Sequence, residues 1–253
     1  MADAVEVIRS EVLASVPHGF LGRRGGVSQG VAAGLNVGHG ADDSAEAIAE
    51  NRRRAMATVL PGAALATVYQ VHSPAVAHVI EPWPHAERPR ADAMVTDRPG
   101  VLLGIVTADC APVLLADREA GVIGAAHAGW RGAHGGVLEA TVTAMERLGA
   151  QAGRITASIG PAIAQRSYEV DGRFRENFTG ADKRFFTPGR AGHWQFDLEG
   201  YAAARLRAAG VGTVDPLGLD TYSDEARFFS YRRSVHCGES TYGRQFSLIG
   251  LPR

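Results

Sequence analysis

Lysine is nearly absent from this chain: Lys183 stands alone among 26 basic residues, and the other 25 are arginines. It lies in Gly180-Ala181-Asp182-Lys183-Arg184, so no Walker motif can be assembled and a P-loop nucleotide site is excluded. A Schiff-base mechanism would rest on that one lysine, in a polar stretch with no apolar pocket to lower its pKa. Cysteine is scarce too. Cys110 and Cys237 are too few for a disulfide scaffold, and the first six residues lack the basic and apolar regions of a signal peptide, so the expected location is a reducing cytoplasm.

Long apolar runs are also missing. The longest block, Val101 to Ala116, is interrupted by Asp109 and falls short of the ~20 residues that a membrane-spanning helix requires. Neither sign of charge dominates: 26 Lys and Arg against 27 Asp and Glu leave a net charge of −1, which argues against a nucleic-acid groove or a polybasic membrane surface. With 45% hydrophobic and 21% charged residues, the composition is that of an ordinary folded domain. No repeat, low-complexity tract or Pro/Ser-rich linker divides the chain, so one domain over residues 1–253 is expected.

Among the elements present, glycines crowd residues 19–40 too densely for a helix and predict a shaped loop region. Asp43 and Glu46 have the form of a capping box, and Ile48, Arg52, Met56 and Val59 continue a helical pattern to Pro61-Gly62, which predicts a helix over about 44–60. From Leu65 to His127 follow six short β-rich runs with no helix between them: 65–72, 75–80, 93–96, 101–107, 112–116 and 121–127. That order does not suit a βαβ winding; it predicts mixed or antiparallel sheets and hence an α+β domain. Helices are expected over about 135–148, near 171–178 and over 197–210, and strands at 155–159, near 228–231 and over 246–251.

Two motifs fail on inspection. Gly26-Val27-Ser28-Gln29-Gly30 fits a nucleophile elbow, but the buried strand and following helix that such an elbow needs are not there, which leaves Ser28 as a turn residue. His85-Ala86-Glu87 resembles half of a zinc deaminase signature with no P-C-x-x-C to complete it, and among prolines 82, 84 and 89 it reads as a surface loop. His134 and His236 are taken as bystanders, and His18, His39, His78, His85 and His193 carry no supporting context.

Three side chains at predicted strand ends stand apart: His72, Cys110 and His127. Adjacent strands can bring such ends together, and one thiolate with two imidazoles is a zinc-type donor set whose three protein ligands leave a fourth position for water. The simpler reading is a buried cysteine beside two hydrogen-bonded histidines, and spacing alone does not choose between them. Arg131 can clamp a phosphate or stack on Trp130, and Arg232, Arg233 and Arg244 form basic edges.

Several segments taken together resemble the YfiH family of laccase-like proteins, also called multicopper polyphenol oxidases or peptidoglycan-editing factors. They are Arg23-Arg24-Gly25-Gly26-Val27-Ser28, Leu35-Asn36-Val37-Gly38, Glu50-Asn51-Arg52, Gln70-Val71-His72, Ala91 to Thr96, Thr107 to Leu115, His127 to Gly132, Ile159 to Ile163, Phe228 to Arg233 and Gly243-Arg244, in the family's order. The resemblance implies a layered α/β/β/α fold shared with cysteine hydrolases, and a zinc site of His72, Cys110 and His127 that copper can occupy as a substitute. It implies phosphorolysis of adenosine, inosine and methylthioadenosine and deamination of adenosine, with nucleoside and phosphate as partners and a monomer or homodimer as the working unit. Within it, Asp109 is expected to move a proton, Arg131 to act on the reacting phosphate, and Arg23, Gln70 and Arg233 to bind substrate or phosphate. Ser73, Ser167 and Asp220-Thr221 depart from the family's usual residues without removing a ligand. The runner-up is a cysteine hydrolase, an amidase acting on peptidoglycan precursors, with Cys110 as nucleophile and His127 as base. A laccase-like copper oxidoreductase fits poorly, because three ligands and no H-x-H pair cannot build a multicopper cluster. A third reading makes the metal structural only, which would require a fourth protein ligand.

Overall fold

Leu102 and Leu103 are neighbours on one strand, both fully buried, and they enter different cores. Successive side chains on a strand face opposite ways, so a strand with no polar alternation must be covered on both faces. A computed structural model describing residues 4–253 shows how that is achieved. One sheet runs in the order β1 (Val7–Ile8), β2 (His18–Leu21), β14 (Gln245–Gly250), β6 (Val101–Thr107), β3 (Ala64–Thr67). A second runs β13 (Thr213–Pro216), β9 (Thr156–Ile159), β7 (Ala111–Asp117), β8 (Val122–Ala128), β5 (Ala93–Thr96), β4 (Val76–His78). Only the β3–β6, β4–β5 and β9–β13 pairs are parallel, so both sheets are mixed.

The sheets pack face to face. Phe20, Leu103, Ile105 and Ile249 from the first meet Met94, Leu114, Ile123 and Ala125 from the second. The first sheet's outer face, with Leu102, Phe246 and Leu248, is covered by Ala55 and Val59 of α1 (Ala45–Val59). The second sheet's outer face, with Val95, Val113 and Leu115, is covered by α3 (Val137–Glu146) and α5 (Leu198–Ala208). This is the expected α/β/β/α layering, and each fully buried Leu or Ile contributes roughly 1.5–3 kcal/mol.

Several expected elements are corrected. The helix expected over about 135–148 is α3, and a short helix that was not expected, α2 (Trp130–Gly135), precedes it, the two separated by Gly136, whose φ of 95° is a left-handed value that glycine adopts without steric cost. Ser44, not Asp43, caps α1 by accepting from the Ala47 N–H, while Asp43 turns to Ser28 and Asn36. The segment near 228–231 is no strand. The Gln245 side chain pairs with both the N–H and the C=O of Phe229, taking the place of a neighbouring strand, and α6 (Tyr231–His236) starts directly after the Ser230 cap. A third sheet, β10 (Glu169–Asp171), β12 (His193–Phe196), β11 (Phe186–Pro188), was not expected from sequence, while the helix expected near 171–178 is the short α4 (Gly172–Glu176). The Phe174, Phe178, Phe186 and Phe196 rings of this region pack together against Trp130 of α2. Among the described residues, no helix is long and apolar enough to cross a membrane.

Candidate metal centre

The antiparallel pairing of β7 with β8 sets Ala111 opposite Ala128 and Pro112 opposite His127, so the residue entering β7, Cys110, meets the end of β8. The turn between β6 and β7 closes through Asp109 at φ 85°, and His72 adopts φ 60°. These are the only non-glycine residues with positive φ among the described residues, and both lie at this site. Positive φ in residues with a Cβ costs about 1–3 kcal/mol and persists only where surrounding contacts impose it.

Asp92 imposes it at His72. Fully buried ahead of β5, its carboxylate accepts from the backbone N–H groups of Val71 (3.1 Å), His72 (2.8 Å) and Ser73 (2.6 Å), and from the Ser73 hydroxyl (2.9 Å). It also accepts from Nδ1 of His127 at 2.9 Å, and its own C=O accepts from the His127 N–H. One carboxylate therefore wraps the loop carrying the first histidine and fixes the ring of the second. Burial pushes this carboxyl up, but the His127 bond and the N–H donors outweigh it and hold it at about 2. The sequence reading missed this role, though the position of an acid directly before a fully buried strand was its visible signal.

With Nδ1 so engaged, His127 presents Nε2 to the site. Cys110 Sγ lies 3.8 Å from His72 Nε2, and one donor atom from each of His72, Cys110 and His127 falls within 4.8 Å of the others. Burial disfavours the thiolate, yet the facing His127 and hydrogen bonds from both histidines hold the thiol below its ordinary range; the same contacts raise His127 against its own burial. Sulfur is thus biased toward the ionised form that binds a metal. His72 is exposed while His127 is buried, so the cluster opens to solvent on the His72 side. Gly129 leaves the space: a Cβ there would stand 2.7 Å from His72 Cδ2 and 2.8 Å from Cys110 Sγ. Donor type, spacing, a fixed tautomer and this cleared floor all fit one small metal ion with three protein ligands.

Elsewhere, side chains named from sequence are engaged with the protein itself. Asp109 is buried, and its carboxylate accepts from the Thr221 hydroxyl (2.7 Å) and the Arg232 N–H (2.6 Å); burial raises its pKa against those bonds. Gln70 pairs with both the C=O and N–H of Val106, extending the edge of β6 toward His72. Arg233 donates to the carbonyls of Thr221, Tyr222 and Phe228. Arg23 donates to the carbonyls of Ala33 and Glu225 and stacks on Phe229. Arg131 is exposed, with its guanidinium 4.8 Å from the Trp130 ring centroid. Ser28 sits in a β-bridge with Gly34 and donates to Asp43, as a turn residue does. Thr107, ending β6 three residues before Cys110, carries a buried hydroxyl with no hydrogen-bond partner among the described residues.

Two mixed sheets between helical layers, with a His-Cys-His cluster at their strand ends, define an α+β protein with a candidate metal centre. The family model described as "Multi-copper polyphenol oxidoreductase laccase" matches residues 17–252. A Deinococcus radiodurans protein named purine nucleoside phosphorylase is 45% identical, over 100% of this chain and 95% of its own. The Escherichia coli purine nucleoside phosphorylase YfiH is 37% identical over 90% of this chain and 91% of its own. The crystal structure of YlmD from Geobacillus stearothermophilus superposes with a TM-score of 0.90 at 29% identity, covering 99% of this chain and 100% of that one. The chain belongs to the YfiH laccase-domain family.

Proposed function

We propose that this chain is a zinc-dependent purine nucleoside enzyme that carries out phosphorolysis of adenosine, inosine and methylthioadenosine and deamination of adenosine. The observation that carries the reading is the His72, Cys110 and His127 cluster, with its imidazole fixed by Asp92, in a chain 45% identical to a protein named purine nucleoside phosphorylase. A mixed sulfur and nitrogen donor set suits zinc, which would supply a Lewis acid with one open position. Copper, favoured by the same donors, is a substitute and not a redox centre here. Multicopper oxidation needs a second, histidine-rich cluster, and among the described residues this is the only converging group of three.

In phosphorolysis, a phosphate oxygen bonds to the anomeric carbon as the bond to the purine nitrogen breaks, and the departing base takes up a proton. Arg131 is the arginine we assign to the reacting phosphate: it follows His127 by four residues, and among the described residues no hydrogen bond occupies its guanidinium, whereas Arg233 and Arg23 spend theirs on carbonyls. Gln70 positions the loop bearing His72. Asp109 is assigned the proton transfer of deamination.

A second reading has a specific observation behind it. Asp92, His127 and Cys110 form an acid, imidazole and thiol series of the kind that activates a cysteine nucleophile, as in amide hydrolysis. A metal held by the sulfur would prevent that attack, so the two readings respond oppositely to chelation. Adenosine turnover is expected to require phosphate for base release, to be abolished by a chelator and to return with zinc. Ammonia release is expected to need no phosphate and to fall at least ~100-fold in Asp109→Asn. Amide hydrolysis that appears only after chelation, with no nucleoside turnover by the zinc-loaded protein, would replace the proposal with the hydrolase.

A further inference from the structure

A second buried carboxylate organises the segments around Asp109. Asp220 accepts from the N–H groups of Ala164 and Tyr222 (both 3.1 Å) and from the hydroxyls of Ser167 (2.8 Å) and Ser223 (2.9 Å), and Arg166 pairs with it at 3.1 Å. Ser167 and Asp220, two of the positions that depart from the family's usual residues, are thus partners in space. The next residue, Thr221, donates to the Asp109 carboxylate, and the Ile163 N–H donates to the Asp109 carbonyl at 2.9 Å. Residues 163–168 and 220–223 are therefore tied to the residue that precedes Cys110.

Tyr168 ends the first of these segments. The Phe196 N–H donates to its carbonyl at 3.0 Å, its ring centroid lies 5.9 Å from that of Phe174 and 5.8 Å from that of Phe196, and the Arg232 guanidinium stands 5.2 Å from it. Phe174 in turn lies 4.6 Å from Trp130, which follows the glycine beneath His72 and Cys110. An aromatic shelf therefore runs from Tyr168 to the metal centre. The hydroxyl feels the charges of Cys110, Arg232, Asp109 and Arg131; burial, then Cys110, pushes it above the ordinary phenol range, so it is a neutral donor. Its donor capacity is unspent. Of the six tyrosines, Tyr69 and Tyr231 are exposed, Tyr201 accepts from Arg205 (3.0 Å), Tyr242 accepts from Arg244 (2.8 Å) and Tyr222 pairs with His236 (2.9 Å). The half-buried Tyr168 hydroxyl has no hydrogen-bond partner among the described residues.

A free phenol at the end of an aromatic shelf suits a flat ligand with an acceptor on its edge, whereas the Arg131 guanidinium suits phosphate. An enzyme that takes both adenosine and inosine cannot rely on a fixed donor at ring N1, which accepts in adenine and donates in hypoxanthine; N7 accepts in both. As the bond from N9 to the sugar breaks, negative charge spreads over the five-membered ring, so a donor at N7 is worth more in the transition state than in the bound substrate. We propose that Tyr168 is a specificity-determining residue whose hydroxyl donates to N7 of the purine. The inference rests on the nucleoside reading above and names the residue that recognises the base.

The test is calorimetric titration of the full-length zinc-loaded protein, without phosphate, with inosine and with 7-deazainosine, which carries a C–H in place of N7. The wild type is expected to bind inosine about tenfold more tightly than the analogue. Tyr168→Phe keeps the ring against Phe174, Phe196 and Arg232. It is expected to retain its zinc, to bind inosine about tenfold more weakly than the wild type, and to bind the two nucleosides within about twofold of each other. A Tyr168→Phe protein that still prefers inosine, or a wild type that binds both nucleosides equally, would overturn the contact and leave the nucleoside reading standing. Loss of zinc from Tyr168→Phe would also overturn it, by making Tyr168 a support of the metal centre. A wild type that binds neither nucleoside would overturn the nucleoside reading itself, and the contact with it.

Discussion

Asp92→Ala is expected to be the most damaging single change in this protein. It would leave the N–H groups of Val71, His72 and Ser73 and Nδ1 of His127 without the acceptor they share. An unsatisfied buried donor costs about 1–3 kcal/mol, and breaking a buried charged network typically costs about 3–5 kcal/mol in total. The left-handed backbone at His72 loses the contacts that hold it, so that ligand moves as well. Metal affinity should fall by about 10–100-fold beyond the loss of stability, the usual effect of removing a partner that orients a ligating histidine. Asp92→Asn separates the two losses: it keeps the shape, but its NH₂ must face one of the existing donors. Chemical denaturation and competitive zinc titration on both variants check this. A melting curve like that of the wild type would show that the loop does not depend on Asp92.

Gly129→Ala is expected to act on the site and spare the fold. Gly129 caps α2 with φ −66° and ψ 160°, values that alanine adopts freely, so no backbone strain follows. The added methyl, however, would lie within 3 Å of both His72 Cδ2 and Cys110 Sγ. Overpacking of this kind is relieved by moving whatever can move, and at this site the mobile groups are the exposed His72 and the half-buried Cys110. Zinc affinity and nucleoside turnover should both drop by at least ~100-fold, while the melting temperature of the metal-free protein shifts by only a few degrees. Retained zinc affinity in a folded Gly129→Ala protein would mean that the two ligands do not meet over this glycine.

The strands at 93–96 and 101–107 could be read to the residue because both faces are buried and Pro, Gly or Asp marks their ends. The three ligand types were equally visible, since a thiol and two imidazoles beside apolar runs need partners. What sequence could not supply was anything set by contacts between distant segments. Gln245 serves as a strand partner to Phe229, so an aromatic run that resembles a strand is not one. Arg233 has the composition of a phosphate clamp and is held by three carbonyls. Gly129, Asp92 and the pairing of Ser167 with Asp220 all acquire meaning only after folding.

The most direct measurement is the zinc-to-protein ratio of the wild type and of Cys110→Ala, both purified without added metal. The expected result is close to one equivalent in the wild type and almost none in the variant, with adenosine turnover lost in parallel while the circular dichroism spectrum is unchanged. A Cys110→Ala protein that keeps both its zinc and its turnover would contradict the assignment of His72, Cys110 and His127 as the ligands of a working metal centre.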